Sequence, residues 1–192
     1  MRLIFSIIVS ILFSFNIIAR EIGETEITTE DGIEVYQDEK YYLLKKNVKI
    51  LSDNFNLNAK DVKIDFDKSL YDITELNAKG EVNFVSSKFG MSSKSESLKF
   101  EVKTERLEVN GKNTELITKD IKMYSDGFIK INNLNGDFKL EGPNSKLINE
   151  SIFIKAEKID GIFSNIADQK EITFLNVIDK KISYVKNNNT EM

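Results

Sequence analysis

Neither histidine nor cysteine occurs in this 192-residue chain, and that removes most familiar chemistry at once. There is no imidazole base, no His-based triad, no thiol nucleophile, no disulfide and no thiolate or imidazole metal site. Carboxylate, Ser–Lys and oxygen-ligand chemistry remain. Asp61, Asp65 and Asp67 in Asp-Val-Lys-Ile-Asp-Phe-Asp are hard-cation donors, but the Gly and Glu spacing of an EF-hand loop is missing. Asp65 and Asp67 share one strand face with Lys63, the pattern of a solvated outer face. Ser92-Ser93-Lys94 offers a Ser–Lys pair on paper, with nothing nearby to form an oxyanion hole or a catalytic turn. Lys45, Lys46 and Lys49 form a small basic cluster, suited to the phosphates of a lipid headgroup or to a solvated edge that discourages aggregation. No G-x-x-x-x-G-K-[ST] run and no carboxylate pair in apolar surroundings occurs. The expectation is a protein that binds rather than catalyses, without metal or cofactor.

The elements that carry these residues have a period of two. Val48 and Ile50 alternate with Lys49, Phe55, Leu57 and Ala59 with Asn56 and Asn58, and Val62, Ile64 and Phe66 with Lys63 and Asp65. The same alternation returns at 82–84, 98–102, 107–109, 121–123, 129–131, 138–140, 152–154 and 172–174. Turn-prone stretches bound these runs: 52–54, 67–69, Asn110-Gly111, 125–127 and 135–137. The lone proline, Pro143, sits in a Glu-Gly-Pro-Asn turn between strands. Short alternating strands at this spacing predict an antiparallel all-β sandwich, barrel or jelly roll. Charged residues make up 30% and the net charge is −4, which argues against a nucleic-acid partner.

At the start, Met1-Arg2 precedes a hydrophobic run from Leu3 to Ile18 and the small residue Ala19. That run is short for a bilayer span, which needs about 20 residues, and fits an export signal over residues 1–19. An uncleaved anchor is the alternative. Residues 20–185 then read as one β domain and 186–192 as a loose polar tail.

The alternation also repeats. Asn47-Val48-Lys49-Ile50 returns 34 positions on as Glu81-Val82-Asn83-Phe84, and the same offset maps Phe55 to Phe89, Leu57 to Met91, Ile64 to Leu98 and Phe66 to Phe100. Two further echoes pair 61–64 with 120–123 and 77–82 with 133–138. Self-similarity of this kind marks stacked supersecondary units. The segments 27–35, 41–50, Leu57-Asn58-Ala59-Lys60-Asp61-Val62-Lys63-Ile64 and Ala78-Lys79-Gly80-Glu81-Val82 resemble the OstA-like (LptA) family of periplasmic lipopolysaccharide-transport proteins. The resemblance is closest over 27–110 and weaker over 111–180. Lys46 stands where the family's first unit has Gly, and Asn133-Leu134-Asn135-Gly136 replaces its Ala-x-Gly.

This resemblance implies a twisted, open antiparallel β-jelly roll with an apolar groove for acyl chains. It implies lipopolysaccharide or a similar acylated lipid as ligand, homologous jelly-roll modules at the inner and outer membranes as partners, and end-to-end self-association. Burial of an acyl chain is the physical need, since each exposed CH₂ costs about 0.8 kcal/mol. The candidate lipid-binding residues are Val48, Ile50, Phe55, Leu57, Ile64, Phe66, Val82, Phe84, Phe89, Leu98 and Phe100. The alternatives are an inner-membrane-anchored member of the same export system and a structural repeat protein whose apolar face is a dry core, where alternation looks identical.

Overall fold

The structure is a computed structural model that describes residues 24–166, 169–180, 184–187 and 190–191. The expected signal segment, residues 1–19, lies outside them. Seventeen strands and no helix form among the described residues: β1 (Glu26–Thr28), β2 (Ile33–Tyr36), β3 (Tyr41–Leu51), β4 (Phe55–Phe66), β5 (Ile73–Ser86), β6 (Met91–Glu101), β7 (Arg106–Asn110), β8 (Thr114–Thr118), β9 (Lys122–Ser125), β10 (Phe128–Asn132), β11 (Asp137–Glu141), β12 (Lys146–Ile148), β13 (Ile152–Lys155), β14 (Lys158–Ile166), β15 (Gln169–Ile178), β16 (Tyr184–Asn187) and β17 (Thr190–Glu191). All pairings are antiparallel and the sheet does not close. The chain is an all-β, open jelly roll. Residues 188–189 and 192 of the expected loose tail also lie outside the described residues; the backbone of 186–187 pairs with 152–153 and that of 190–191 with 186–187.

Four long strands make the architecture. β3 to β6 each bend in the middle, so that one half pairs in one layer and the other half in a second. Residues 41–45 of β3 pair with 61–65 of β4, while 48–51 pair with 56–59, and the register jumps between Lys45 and Val48. Equivalent jumps fall between Asn58 and Asp61 and between Lys79 and Val82. From β7 onward each strand belongs to one layer. The first layer runs β2, β3, β4, β5, β6, β7, β10, β11, β14, β15, and the second runs β1, β3, β4, β5, β6, β8, β9, β12, β13, β16. A sequence reading of separate four- to seven-residue strands at 55–59 and 62–66 is therefore corrected to one bent strand, because a bulge shifts the alternation without breaking the strand.

The bends form one corner line, and the 34-residue repeat is its signature. Lys46 and Asn47 adopt φ of 60° and 52°, and Gly80 and Glu81 adopt 80° and 49°. The residue that departs from the family's glycine thus holds the same left-handed backbone as the glycine one repeat later. At Gly80 a side chain has no room: an added Cβ would lie 2.6 Å from Lys60 Cβ. The other echoes do not survive. Asp61–Ile64 lies in the first layer, whereas 120–123 lies at a turn and strand of the second; 77–82 crosses the corner, whereas 133–138 forms a turn at the opposite rim. A short left-handed turn serves both places, since Gly136 also has φ of 80°.

The two layers face each other across one core. Leu44, Val62, Ile64, Leu76, Leu98, Leu107, Val109, Ile129 and Leu140 come from the first layer, and Val48, Ile50, Leu57, Val82, Leu116, Met123, Leu147 and Ile154 from the second. Large rings sit beside small cross-strand partners: Phe55 is opposite Ser86 and Phe84 opposite Ser93. Phe174, expected to share a face with Ile172, pairs instead with Ile162 and is 54% exposed. The register shift at Ile162/Phe163 turns it outward.

Candidate functional site

The interior between the layers is the site that the candidate residues build. Ile64, Phe66, Leu98 and Phe100 line it from the first layer, and Val48, Ile50, Phe55, Leu57, Val82 and Phe84 from the second; Phe89 reaches it from the turn at 87–90. Nine of these eleven are 7% exposed or less, while Phe55 and Phe89 are half-buried at the rim. Phe84 and Phe100 meet across the gap at 6.2 Å between ring centres, with Phe55 5.8 Å from Phe84 and Phe89 5.9 Å from Phe100.

Opposite the corner, each layer ends in a row of turns. The first layer's turns are at 37–40, 67–72, 102–105 and 133–136, and the second layer's at 52–54, 87–90, 119–121 and 149–151. An ion pair clasps the two rows together. Lys88 Nζ, on a second-layer turn, lies 2.8 Å from Glu105 Oε1 on a first-layer turn, and Lys88 also sits 4.7 Å over the Phe89 ring. The Glu105 carbonyl accepts the Asn133 N–H at 3.1 Å, tying neighbouring first-layer turns together. Beside the clasp, the Thr104 hydroxyl donates to Glu101 and Lys99 lies close, holding the Glu101 carboxyl below its ordinary value. The sequence reading missed Lys88 and Glu105, because nothing local marks two turns from different layers as neighbours.

At the N-terminal end no described residue covers the interior. Ile33 and Val35 pair with Leu44 and Tyr42 and so face inward, yet they are 50% and 51% exposed. Among the described residues β1 and β2 each pair on one side only, with β3. Next to them, burial pushes the Tyr42 phenol up. The apolar interior also continues past Phe100, through Ile131, Phe138, Ile159 and Phe163.

The remaining candidate groups are occupied locally. Asp65 is paired with Lys63 and Asp67 with Lys40. Asp61 accepts the Lys46 N–H. No group of three or more acidic residues able to hold a metal forms among the described residues. Ser93 points into the core, its hydroxyl without a partner, while Lys94 is exposed on the other face, so those two groups cannot form a dyad. Within the basic cluster, Lys45 is paired with Glu34 at 2.7 Å and Lys46 with Asp31 at 3.0 Å. Lys49 alone keeps its charge free, on a surface cleft of about 940 Å³ at the corner.

No protein-family model matches the chain, and no curated protein does. Among solved structures, the chain is similar to LptH from Pseudomonas aeruginosa, described as the LptA-homologous periplasmic component of the lipopolysaccharide transport device. Identity is 10% and the TM-score 0.48, over 57% of this chain and 76% of that one. At that identity and score the likeness bears on neither ligand nor partner.

Proposed function

We propose that this protein is a non-enzymatic periplasmic lipid carrier that takes an acylated lipid of the lipopolysaccharide class between its two layers and docks, through its end strands, to like modules. The observation that carries this reading is an apolar interior that runs through the described residues and that none of them covers at the N-terminal end. Ile33 and Val35 face inward and stay half exposed, where the neighbouring Leu44 is fully buried. A sealed domain covers such an end; an exposed apolar lining beside unpaired strand edges suits a surface that another jelly roll extends. The sequence resemblance to the OstA-like family adds the ligand class. In this reading acyl chains displace the contacts between Phe89, Phe84 and Phe100, and the turns at 87–90 and 102–105 part to admit them.

A second reading, a structural sandwich with a dry core, is favoured by one fact: the layers already touch, with Phe84 1% exposed. Mass spectrometry of organic extracts from protein purified without detergent separates the two. The carrier should bring an acylated glycolipid with it and, once delipidated, take up lipopolysaccharide in a displacement assay. Lipid-free protein that also takes up none would establish the dry sandwich.

A further inference from the structure

From β7 to β14 the two outer faces of the molecule treat their lysines in opposite ways. Across β7, β10, β11 and β14 of the first layer, every outward lysine has a carboxylate within 4 Å: Lys130 with Glu108, Lys139 with Glu141 and Lys158 with Asp160. Behind them, across β8, β9, β12 and β13 of the second layer, Lys122, Lys146 and Lys155 have no carboxylate partner among the described residues, and Lys146 and Lys155 are directly opposite each other in register. Like charges in that position are destabilising, so the arrangement is unfavourable unless an anion is supplied. Glu115 is the one outward acid of these four strands.

The lysines are ordered with apolar side chains. One row across the strands reads Ile117, Lys122, Ile148, Phe153, and the next reads Glu115, Tyr124, Lys146, Lys155. Phe153 is 37% exposed, and Lys146 Nζ lies 4.7 Å over the Tyr124 ring. The two rows are about 7 Å apart, two residues along a strand. Four strands at about 20–25° of twist per pair still present one shallow face. Lysine stems can lie along the apolar row while their ammonium groups reach outward, and Tyr and Phe beside them suit the boundary between water and hydrocarbon.

We propose that this face docks onto the anionic phospholipid surface of a bilayer. It is a shallow surface with an apolar row and free lysines, on a chain whose net charge of −4 otherwise opposes such contact. The complementarity therefore also orients the molecule, with the second layer toward the lipid and the ion-paired first layer away from it. The proposal is independent of what the interior holds.

Co-sedimentation of the full chain with phosphatidylglycerol-containing vesicles tests it, against vesicles of phosphatidylcholine alone. Binding to the anionic vesicles only, weakened by salt, is expected. The triple variant Lys122→Gln, Lys146→Gln, Lys155→Gln should bind about a hundredfold more weakly, at the usual contribution of a lysine near an anionic surface. Its thermal unfolding should not fall below that of the parent, since the substitutions lie on the surface and relieve the repulsion between Lys146 and Lys155. A matched triple on the other face, Lys63→Gln, Lys99→Gln, Lys139→Gln, should keep vesicle binding within about threefold of the parent, because those charges are already compensated. No vesicle binding by the parent, equal binding to both lipids, or unchanged binding by the first triple would each overturn the proposal. So would salt-sensitive capture of polyglutamate without vesicle binding, which would mark an acidic polypeptide as the partner.

Discussion

Phe84 and Phe89 are five residues apart and make different commitments to the fold. Phe84 is 1% exposed and touches both Phe55 and Phe100, so Phe84→Ser is expected to cost about 3–5 kcal/mol in chemical denaturation, the range for a deleted core aromatic. Phe89 is half-buried at the rim and packs edge-on against Phe100. Phe89→Ser should cost about half as much, leave the chain folded, and weaken uptake of acylated lipid in a displacement assay. If both substitutions leave uptake unchanged, the interior is not where lipid goes. The same logic governs backbone. Gly80→Ala meets Lys60 Cβ at 2.6 Å with φ at +80°, and a loss of at least about 1–2 kcal/mol is expected from the left-handed conformation alone.

Among elements, the rim turns are where the two layers can separate at least cost. They are joined across the gap by Lys88 and Glu105, whose side chains are 52% and 20% exposed, so the ion pair itself contributes no more than about 1 kcal/mol. Lys88→Glu replaces attraction with repulsion between the turns at 87–90 and 102–105. Amide exchange at those turns should speed up several-fold while exchange in β7 and β10 stays unchanged, and equal rates with the parent would show that the clasp does not hold the rim. The end elements differ in kind, because among the described residues β1 and β2 pair on one side only and Ile33 and Val35 are half exposed. Sedimentation should show size rising with concentration, and Val35→Lys, which places a charge on that inward edge, should return the chain to monomer.

At the scale of the whole molecule, the missing histidine shapes the response to pH. Glu34, Glu101, Asp126 and Glu141 have carboxyls held below their ordinary values, chiefly by hydrogen bonds from Lys45, Thr104, Asn144 and Lys139 respectively. A carboxyl with a lowered value in the folded state stabilises the fold above its unfolded value, and that contribution is lost as pH falls through the folded one. Thermal unfolding should therefore be nearly constant from about pH 5.5 to 8, where no side chain of ordinary value titrates, and should decline only below about pH 4. A transition near pH 6.5 would contradict this.

The residue types and their period of two were sufficient to determine an antiparallel all-β chain, the side chains that face inward over most strands, and the exclusion of histidine and cysteine chemistry. Those are local properties, set by composition and by alternation along one strand. The 34-residue repeat was legible as a repeat, and the structure shows that it marks a corner, where Val48, Ile50, Val82 and Phe84 are buried beside equivalent left-handed residues. Only the tertiary structure decided that 55–59 and 62–66 are one bent strand, that 133–138 is a rim turn and no equivalent of 77–82, and that Phe174 turns outward. A bulge changes the face of a residue while leaving the apparent pattern intact. The closing of the layers was equally hidden: Lys88 and Glu105 are 17 positions apart and meet only because β6 bends from one layer into the other, a contact set by the path of the chain and by no pattern within it.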